Sequence, residues 1–304
     1  MDGIINVYKE AGFTSHDVVA KLRGICRQKK IGHTGTLDPQ ATGVLPVCLG
    51  SATRACEMLT DRTKEYVAEL LLGKITDTQD TTGTVLEERE VAVDEAQVRE
   101  VIGSFVGGYD QIPPMYSALK VNGKKLYELA RAGKEVERQA RHVDLPAIEI
   151  LEIRLPVVKF RVECSKGTYI RSLCADIGGK LGCGGTMQSL VRTRVGEFRL
   201  TDALTLTQLQ ELRDMDRLEE ALLPTDRIFA DFNAVHVEEK WRKLIDNGNA
   251  FYPGQTMEQT TYPVGEWVRV YREDDSFVGI YAYDGAKEWY KPVKIFPSNT
   301  ESRK

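Results

Sequence analysis

Residues 32–45 read GHTGTLDPQATGVL, and the organisation of the whole chain follows from how this stretch is interpreted. Three glycines, Gly32, Gly35 and Gly43, punctuate it, so it reads as a loop and not as the interior of a helix or strand. Glycine permits positive φ and close approach of the backbone to a ligand. Pro39 forces the residue before it out of the α region, so Asp38 is expected in an extended conformation. A carboxylate held this way projects from the scaffold, as a nucleophile or general base must. Asp-Pro pairs also build plain turns, and the segment alone leaves both readings open. No Gly-Lys-Ser/Thr follows, which argues against a phosphate-cradling Walker loop.

Working outward, residues 3–8 read as a short strand, and Ser15 is expected to cap a helix bearing Val18, Val19, Leu22, Ile25 and Cys26. Residues 65–73 read as a buried strand, followed by the turn-rich TDTQDTTG (76–83). Asp94 caps a helix bearing Val98, Val101, Ile102 and Phe105, with its end expected at Gly107-Gly108. The stretch from Gly107 to about Arg141 is basic, carries tyrosines and has little strand signal, so it reads as an excursion from the core. In residues 157–164, Val158, Phe160, Val162 and Cys164 alternate onto one face. Ile170, Leu173, Cys174, Ile177 and Leu181 trace a helix stopped by Gly182, Gly184 and Gly185, and a polar helix is expected near 205–222. Beyond residue 230, three short runs (265–273, 276–284 and 288–296) read as a small β module. Strands and helices mix without a βαβ rhythm, which predicts an α+β fold.

The chain of 304 residues has 42% hydrophobic and 28% charged residues, ordinary for a globular protein. Nothing in it approaches the ~20 apolar residues of a membrane span, and the N-terminus lacks signal-peptide features, so a cytoplasmic location is expected. Six cysteines and four histidines show no metal-ligand spacing, so neither a metal site nor a disulfide framework is expected. The net charge of −4 hides local basic clusters. One comprises Lys21, Arg23, Arg27, Lys29 and Lys30; the other Lys120, Lys124, Lys125, Arg131, Lys134, Arg138 and Arg141. Such clusters permit a polyanionic partner and equally fit solvated faces.

The spacing Gly35-x-Leu37-Asp38 followed by Gly43-x-Leu45 resembles the active-site loop shared by several pseudouridine synthase families. The longer string GHTGTLDPQATGVLPVCLGSATR is similar to the bacterial tRNA pseudouridine-55 synthase (TruB) family. So are NVYKEAGFTSHDVV (6–19), KEYVAELLLGKITDTQDTTG (64–83), IPPMYSALKVNGKKLYELAR (112–131) and CSKGTYIRSLCADIG (164–178), in the expected order. The resemblance covers most of residues 1–200.

It implies a mixed, largely antiparallel pseudouridine synthase core over residues 1–230, a thumb-like insertion at about 108–141, and a PUA-like RNA-binding β domain over 231–304. It implies that Asp38 attacks a flipped-out uridine, that Arg171 pairs with Asp38, and that Tyr66 stacks on the target base. Tyr169 and Leu190 would line the nucleotide pocket, and His33 would fill the space the base leaves. Lys9, Lys120, Lys124, Lys125 and Arg131 are expected to contact RNA, with the T-stem-loop of tRNA as partner, no cofactor, and a monomer needing no protein partner. One departure stands out: Glu10 follows Lys9 where the family has proline, which puts the rigidity of that turn in question.

Three other readings compete. The guide-RNA-dependent synthases carry a similar loop, but the GKKLYELARAG segment favours the stand-alone form. A non-catalytic RNA-folding protein would not need both Asp38 and Arg171. A carboxylate glycosidase would need a second acid at a set separation, which this loop does not offer.

Overall fold

The computed structural model describes residues 1–121 and 123–297. Its centre is an eight-stranded sheet built from β1 (Gly3–Lys9), β2 (Ile31–His33), β3 (Thr42–Leu49), β4 (Lys64–Leu72), β5 (Ala147–Arg154), β6 (Val157–Cys164), β7 (Gly185–Val195) and β8 (Phe198–Arg199). The path across it runs β1-β3-β7-β4-β6-β5, with β2 beside β3 and β8 beside β7. Only β3 and β7 run parallel, through Val191 opposite Thr42 and Arg192 opposite Gly43; the sheet is mixed and largely antiparallel, as expected.

The alternation of β6 does what its sequence promised. Val158, Phe160, Val162 and Cys164 are buried, facing Leu173, Cys174 and Ile177 of a helix at Ile170–Lys180. Each such apolar side chain contributes ~1.5–3 kcal/mol relative to exposure. On the β1-β3 side, α1 (Ser15–Ile25) buries Val18, Val19, Leu22 and Ile25 against Ile5, Val7, Leu45 and Val47.

Three local expectations are corrected. Thr14, not Ser15, caps α1, because Thr14 and Asp17 stand at capping-box spacing and satisfy each other's backbone N–H. The helix capped by Asp94 ends at Gly103, and the chain turns four residues before the Gly107-Gly108 pair. The helix expected to 222 stops at Asp214, since Asp216 takes a left-handed φ of 63°; a 3-10 turn at Leu218–Ala221 follows.

The excursion is rooted by a two-stranded ribbon pairing Tyr109–Gln111 with Arg141–Val143. It carries a second small ribbon, Lys120–Val121 with Lys124–Lys125, and a helix at Leu126–Arg131. At the other end, Asn233–Val237, Trp267–Arg272, Phe277–Asp284 and Trp289–Ile295 form a separate four-stranded sheet, a strand more than the three expected. It seats on the main body through Ile228, Phe229, Ile280 and Phe296, packed with Ile4, Val44 and Cys48. All six cysteines are free thiols, and among the described residues no helix is long and apolar enough to cross a membrane.

Candidate active site

The loop between β2 and β3 is held from beneath by groups distant in sequence. Ser15, released from capping duty, accepts a hydrogen bond from the Leu37 N–H at 2.9 Å. The Gly12 N–H donates to the Pro39 carbonyl at 2.9 Å, and Ala41 N–H to the Asp38 carbonyl at 3.1 Å. Leu37 and Ala41 turn inward onto Tyr66, Ala68 and Leu190. Gly43 needs its missing side chain: φ is 107°, and a Cβ would sit 2.2 Å from the Arg192 carbonyl oxygen.

Lys9 supplies the strongest tie. It was expected to contact RNA, but its side chain is fully buried, and its ammonium donates to the carbonyls of Ala41 (2.6 Å), Pro39 (3.0 Å) and Glu10 (3.1 Å). A lysine whose three protons are committed inside the protein has none for a phosphate, so it is a brace for the loop. The Glu10 carbonyl is one of the braced groups, which steadies the turn that lacks the family's proline.

Burial lowers the Lys9 pKa to about 8, with the Asp38 charge opposing that shift and Arg192 adding to it. The folded state therefore holds this proton less tightly than the unfolded chain does, with its ordinary value of 10.5. Between about pH 8 and 10.5 the unfolded state binds more protons, so this group makes stability rise with pH in that window. Lys9→Met is expected to lose about 1–3 kcal/mol through the three deserted carbonyls. It should also lack the alkaline gain, read as the difference between wild-type and variant urea midpoints from pH 7 to 10.5.

Asp38 emerges from this braced loop with its side chain 37% exposed, while the Arg171 side chain is 6% exposed. Arg171 lies in the first turn of the Ile170–Lys180 helix and is 133 residues away in sequence. Its Nε meets Asp38 Oδ2 at 2.8 Å and its Nη2 meets Oδ1 at 3.2 Å, a two-point fork that fixes the carboxylate plane. The guanidinium is committed elsewhere too: Nη1 donates to the Thr78 carbonyl at 3.1 Å and Nη2 to the Tyr116 carbonyl at 2.9 Å. Asp80 stands 4.0 Å from Nε. Its carboxylate is pinned by Thr78 Oγ1 (2.8 Å), Thr82 Oγ1 (2.6 Å) and Thr82 N–H (3.0 Å).

Tyr66 is buried on β4, and burial raises its phenol pKa; Asp38 is near enough for its charge to push the same way. Leu190 packs in the same cluster. Tyr169 is half-buried just ahead of the helix; burial raises its pKa, and Asp38 again contributes. His33 ends β2 at the start of the loop. Burial first, then the charges of Arg192 and His16, hold its imidazole below the usual value, so it is neutral near pH 7. The structure thus pairs Asp38 with Arg171, sets Tyr66 and Tyr169 near enough to feel the Asp38 charge, packs Leu190 with Tyr66 and Leu37 in the core, and leaves His33 on the strand leading into the loop.

Sequence reading missed Arg192, Asp80 and Gln111. Arg192, only 1% exposed, bridges the two ends of the loop by donating from Nε to the Val44 carbonyl (2.7 Å) and from Nη2 to the Gly35 carbonyl (3.3 Å). Apart from Lys9, the expected RNA contacts lie on the excursion: Lys120, Lys124 and Arg131 are exposed and Lys125 half-exposed. Lys125 and Arg131 each lie 5.5 Å from the Tyr127 ring.

A partly exposed carboxylate, forked by a buried guanidinium and with two tyrosines within reach of its charge, can present an oriented negative oxygen to a group that enters from outside. The comparisons show the family. Residues 23–170 match the TruB family pseudouridylate synthase N-terminal domain, and residues 171–230 match the tRNA pseudouridylate synthase B C-terminal domain. The chain is 53% identical to tRNA pseudouridine synthase B of Lachnoclostridium phytofermentans, covering 97% of this chain and 100% of that one. It is 49% identical to the enzyme of the same name from Alkaliphilus oremlandii, covering 97% of each.

Among solved structures it is similar to a chain of an H/ACA RNP bound to a substrate RNA containing 2′-deoxyuridine (27% identity, TM-score 0.73, 97% of this chain and 84% of that one). A Cbf5-Nop10-Gar1 complex gives 29% identity and the same TM-score and coverage. The chain belongs to the TruB family of pseudouridylate synthases, enzymes that isomerise uridine in RNA.

Proposed function

We propose that this enzyme converts uridine to pseudouridine at position 55, in the T-loop of tRNA, with Asp38 as the attacking carboxylate. The carrying observation is the Asp38–Arg171 fork: a solvent-facing acid held in one plane by a buried guanidinium. In the reaction the C1′–N1 bond breaks, the uracil turns while still bound, and C1′ bonds to C5; the C5 proton leaves and N1 takes one up. In this reading Tyr66 and Tyr169 would contact the incoming base, and stacking on an aromatic ring is worth ~1–3 kcal/mol. Lifting a base from its stack costs a few kcal/mol, so contacts of this size offset it. The near-full-length relatives named tRNA pseudouridine synthase B support tRNA as the substrate. A cytoplasmic monomer would suffice for this role.

The excursion's cations would follow the RNA backbone. Replacing Lys124 and Lys125 together with alanine is expected to weaken tRNA binding and reduce the salt slope of log K by ~1–2 units, as two fewer phosphates are neutralised. An unchanged slope in filter binding across a salt series would take these lysines out of the interface.

A second reading rests on the likeness to chains in H/ACA RNP and Cbf5-Nop10-Gar1 assemblies, in which the enzyme would act only within a larger complex. Incubating the protein alone with unmodified tRNA transcript and mapping pseudouridine separates the two. Modification at position 55 supports direct action on tRNA. No modification until a guide RNA is supplied would favour the second reading.

A further inference from the structure

We infer that Gln111, at the root of the excursion, is a positioning residue that sets the Arg171–Asp38 fork by clasping the start of the Ile170–Lys180 helix. The inference rests on the proposed reading of that fork as the reacting pair.

The helix that carries Arg171 has no cap of its own. Tyr169 occupies the N-cap position, and its side chain makes no capping bond. A helix start leaves N–H groups unpaired, and most helices meet that need with a nearby Ser, Thr, Asp or Asn. Here Gln111 takes over from 58 residues upstream: its Oε1 accepts from the Tyr169 N–H at 2.8 Å, and its Nε2 donates to the Tyr169 carbonyl at 3.0 Å. Both ends of one side-chain amide thus grip both polar groups of one residue. Gln111 is 1% exposed, which keeps water from replacing either bond.

The grip is anchored further back. Gln111 Nε2 also reaches the Tyr109 hydroxyl at 2.5 Å, and that hydroxyl donates to Asp176 Oδ2 at 2.9 Å, about 1.4 turns along the same helix from Arg171. The excursion therefore holds the helix at two levels. It touches Arg171 directly as well, through the Tyr116 carbonyl.

Arg171 lies two residues beyond Tyr169, ~3 Å along the axis, so a shift at the helix start carries over to the guanidinium. The fork has little slack, because its Nη2–Oδ1 arm is already 3.2 Å long. A displacement of under an ångström would open it, and misplacements of that order can cost ~10²-fold in rate. Placed at the root of the RNA-facing excursion, Gln111 makes the geometry of the acid depend on how that excursion is seated.

The test compares Gln111→Leu and Gln111→Glu in the full-length protein. Leucine fills the volume and removes both bonds. Glutamate keeps the acceptor for the Tyr169 N–H but can donate to the Tyr169 carbonyl only when protonated. Its surroundings are Tyr109 on its own strand, Asp176 and Lys180 on the helix, and Arg141 and His142 on the paired strand.

Two readouts are taken. The first is single-turnover pseudouridine formation with saturating enzyme, alongside tRNA affinity. The second is the Arg171 Nε–H signal in ¹H–¹⁵N spectra of the free protein, assigned by its shift in Asp38→Asn. For Gln111→Leu the expected result is a ~10–100-fold loss in single-turnover rate with tRNA affinity retained, and a displaced or broadened Arg171 signal. For Gln111→Glu the rate relative to wild type should climb as pH falls and the carboxyl regains its proton.

A Gln111→Leu protein with the wild-type Arg171 signal, or with its loss confined to affinity, overturns the inference. A low Gln111→Glu rate that keeps a constant ratio to wild type across pH overturns it too. The spectra do not depend on turnover, so a wild-type protein inactive on tRNA would sink the proposed function while leaving Gln111 to be judged on the Arg171 signal.

Discussion

Asp38→Ala should bind tRNA and make no pseudouridine, its turnover falling by roughly 10⁴-fold or more, the scale seen when a nucleophile is removed and only binding remains. The fold should survive. Arg171 would lose one partner but keep the Thr78 and Tyr116 carbonyls and the Asp80 carboxylate nearby, so the stability cost is limited to about 1.5–3 kcal/mol. Asp38→Asn sharpens the point. It is nearly isosteric, its amide oxygen can still accept from the guanidinium, and the loop below it is held by Lys9, Ser15 and Arg192, none of which touches the carboxylate in the structure. It should be as inactive as the alanine variant and closer to wild type in thermal stability. Turnover within tenfold of wild type for Asp38→Asn would remove the carboxylate from the chemistry.

The second large effect is at Arg171, where charge and geometry can be separated. Arg171→Lys keeps a cation but cannot span both carboxylate oxygens and the two carbonyls at once, because an ammonium lacks the planar fork. The rate should fall ~10²-fold with tRNA affinity little changed, since the residue is buried and unavailable to RNA. Arg171→Met removes the charge as well. It deserts the Thr78 and Tyr116 carbonyls, so about 2–4 kcal/mol of stability should go along with nearly all activity. Equal rates for the lysine and arginine proteins would mean that the fork's geometry is irrelevant and only its charge matters.

How much of this was legible beforehand depended on the range of the interactions. The alternation of Val158 to Cys164 and the helix from Ile170 are short-period patterns, and both stand in the structure as read. Of the stretch at 32–45, only residues 34–41 stand as a loop: Gly32 and His33 belong to β2 and Thr42 to Leu45 to β3, so the glycines there mark strand ends and a close backbone approach as well as a turn. The partnership of Asp38 with Arg171 came from family resemblance, because no local pattern links residues 133 apart. Thr14 was within reach of the sequence: Asp17 lies three residues after Thr14, whereas Val18 follows Ser15 at that spacing.

Lys9 was not within reach. A lysine beside a functional loop reads as a surface cation, and only the fold brings the Pro39 and Ala41 carbonyls around its ammonium. Arg192 and Gln111 escaped for the same reason, since each works through bonds that cross between elements. Asp80 is pinned locally by Thr78 and Thr82, and only the fold brings it within 4.0 Å of Arg171. The excursion's ribbons are two or three residues long per strand, too short for any period to show.

Attack by Asp38 on the uridine at position 55 is read by counting C5 tritium released from a free tRNA transcript labelled at every uridine, with no guide RNA and no other protein. The wild-type protein should release about one equivalent per tRNA, Asp38→Asn none, and a transcript with cytidine at position 55 should give none. Release by Asp38→Asn at the wild-type rate, or undiminished release from the cytidine transcript, would contradict attack by Asp38 at that position.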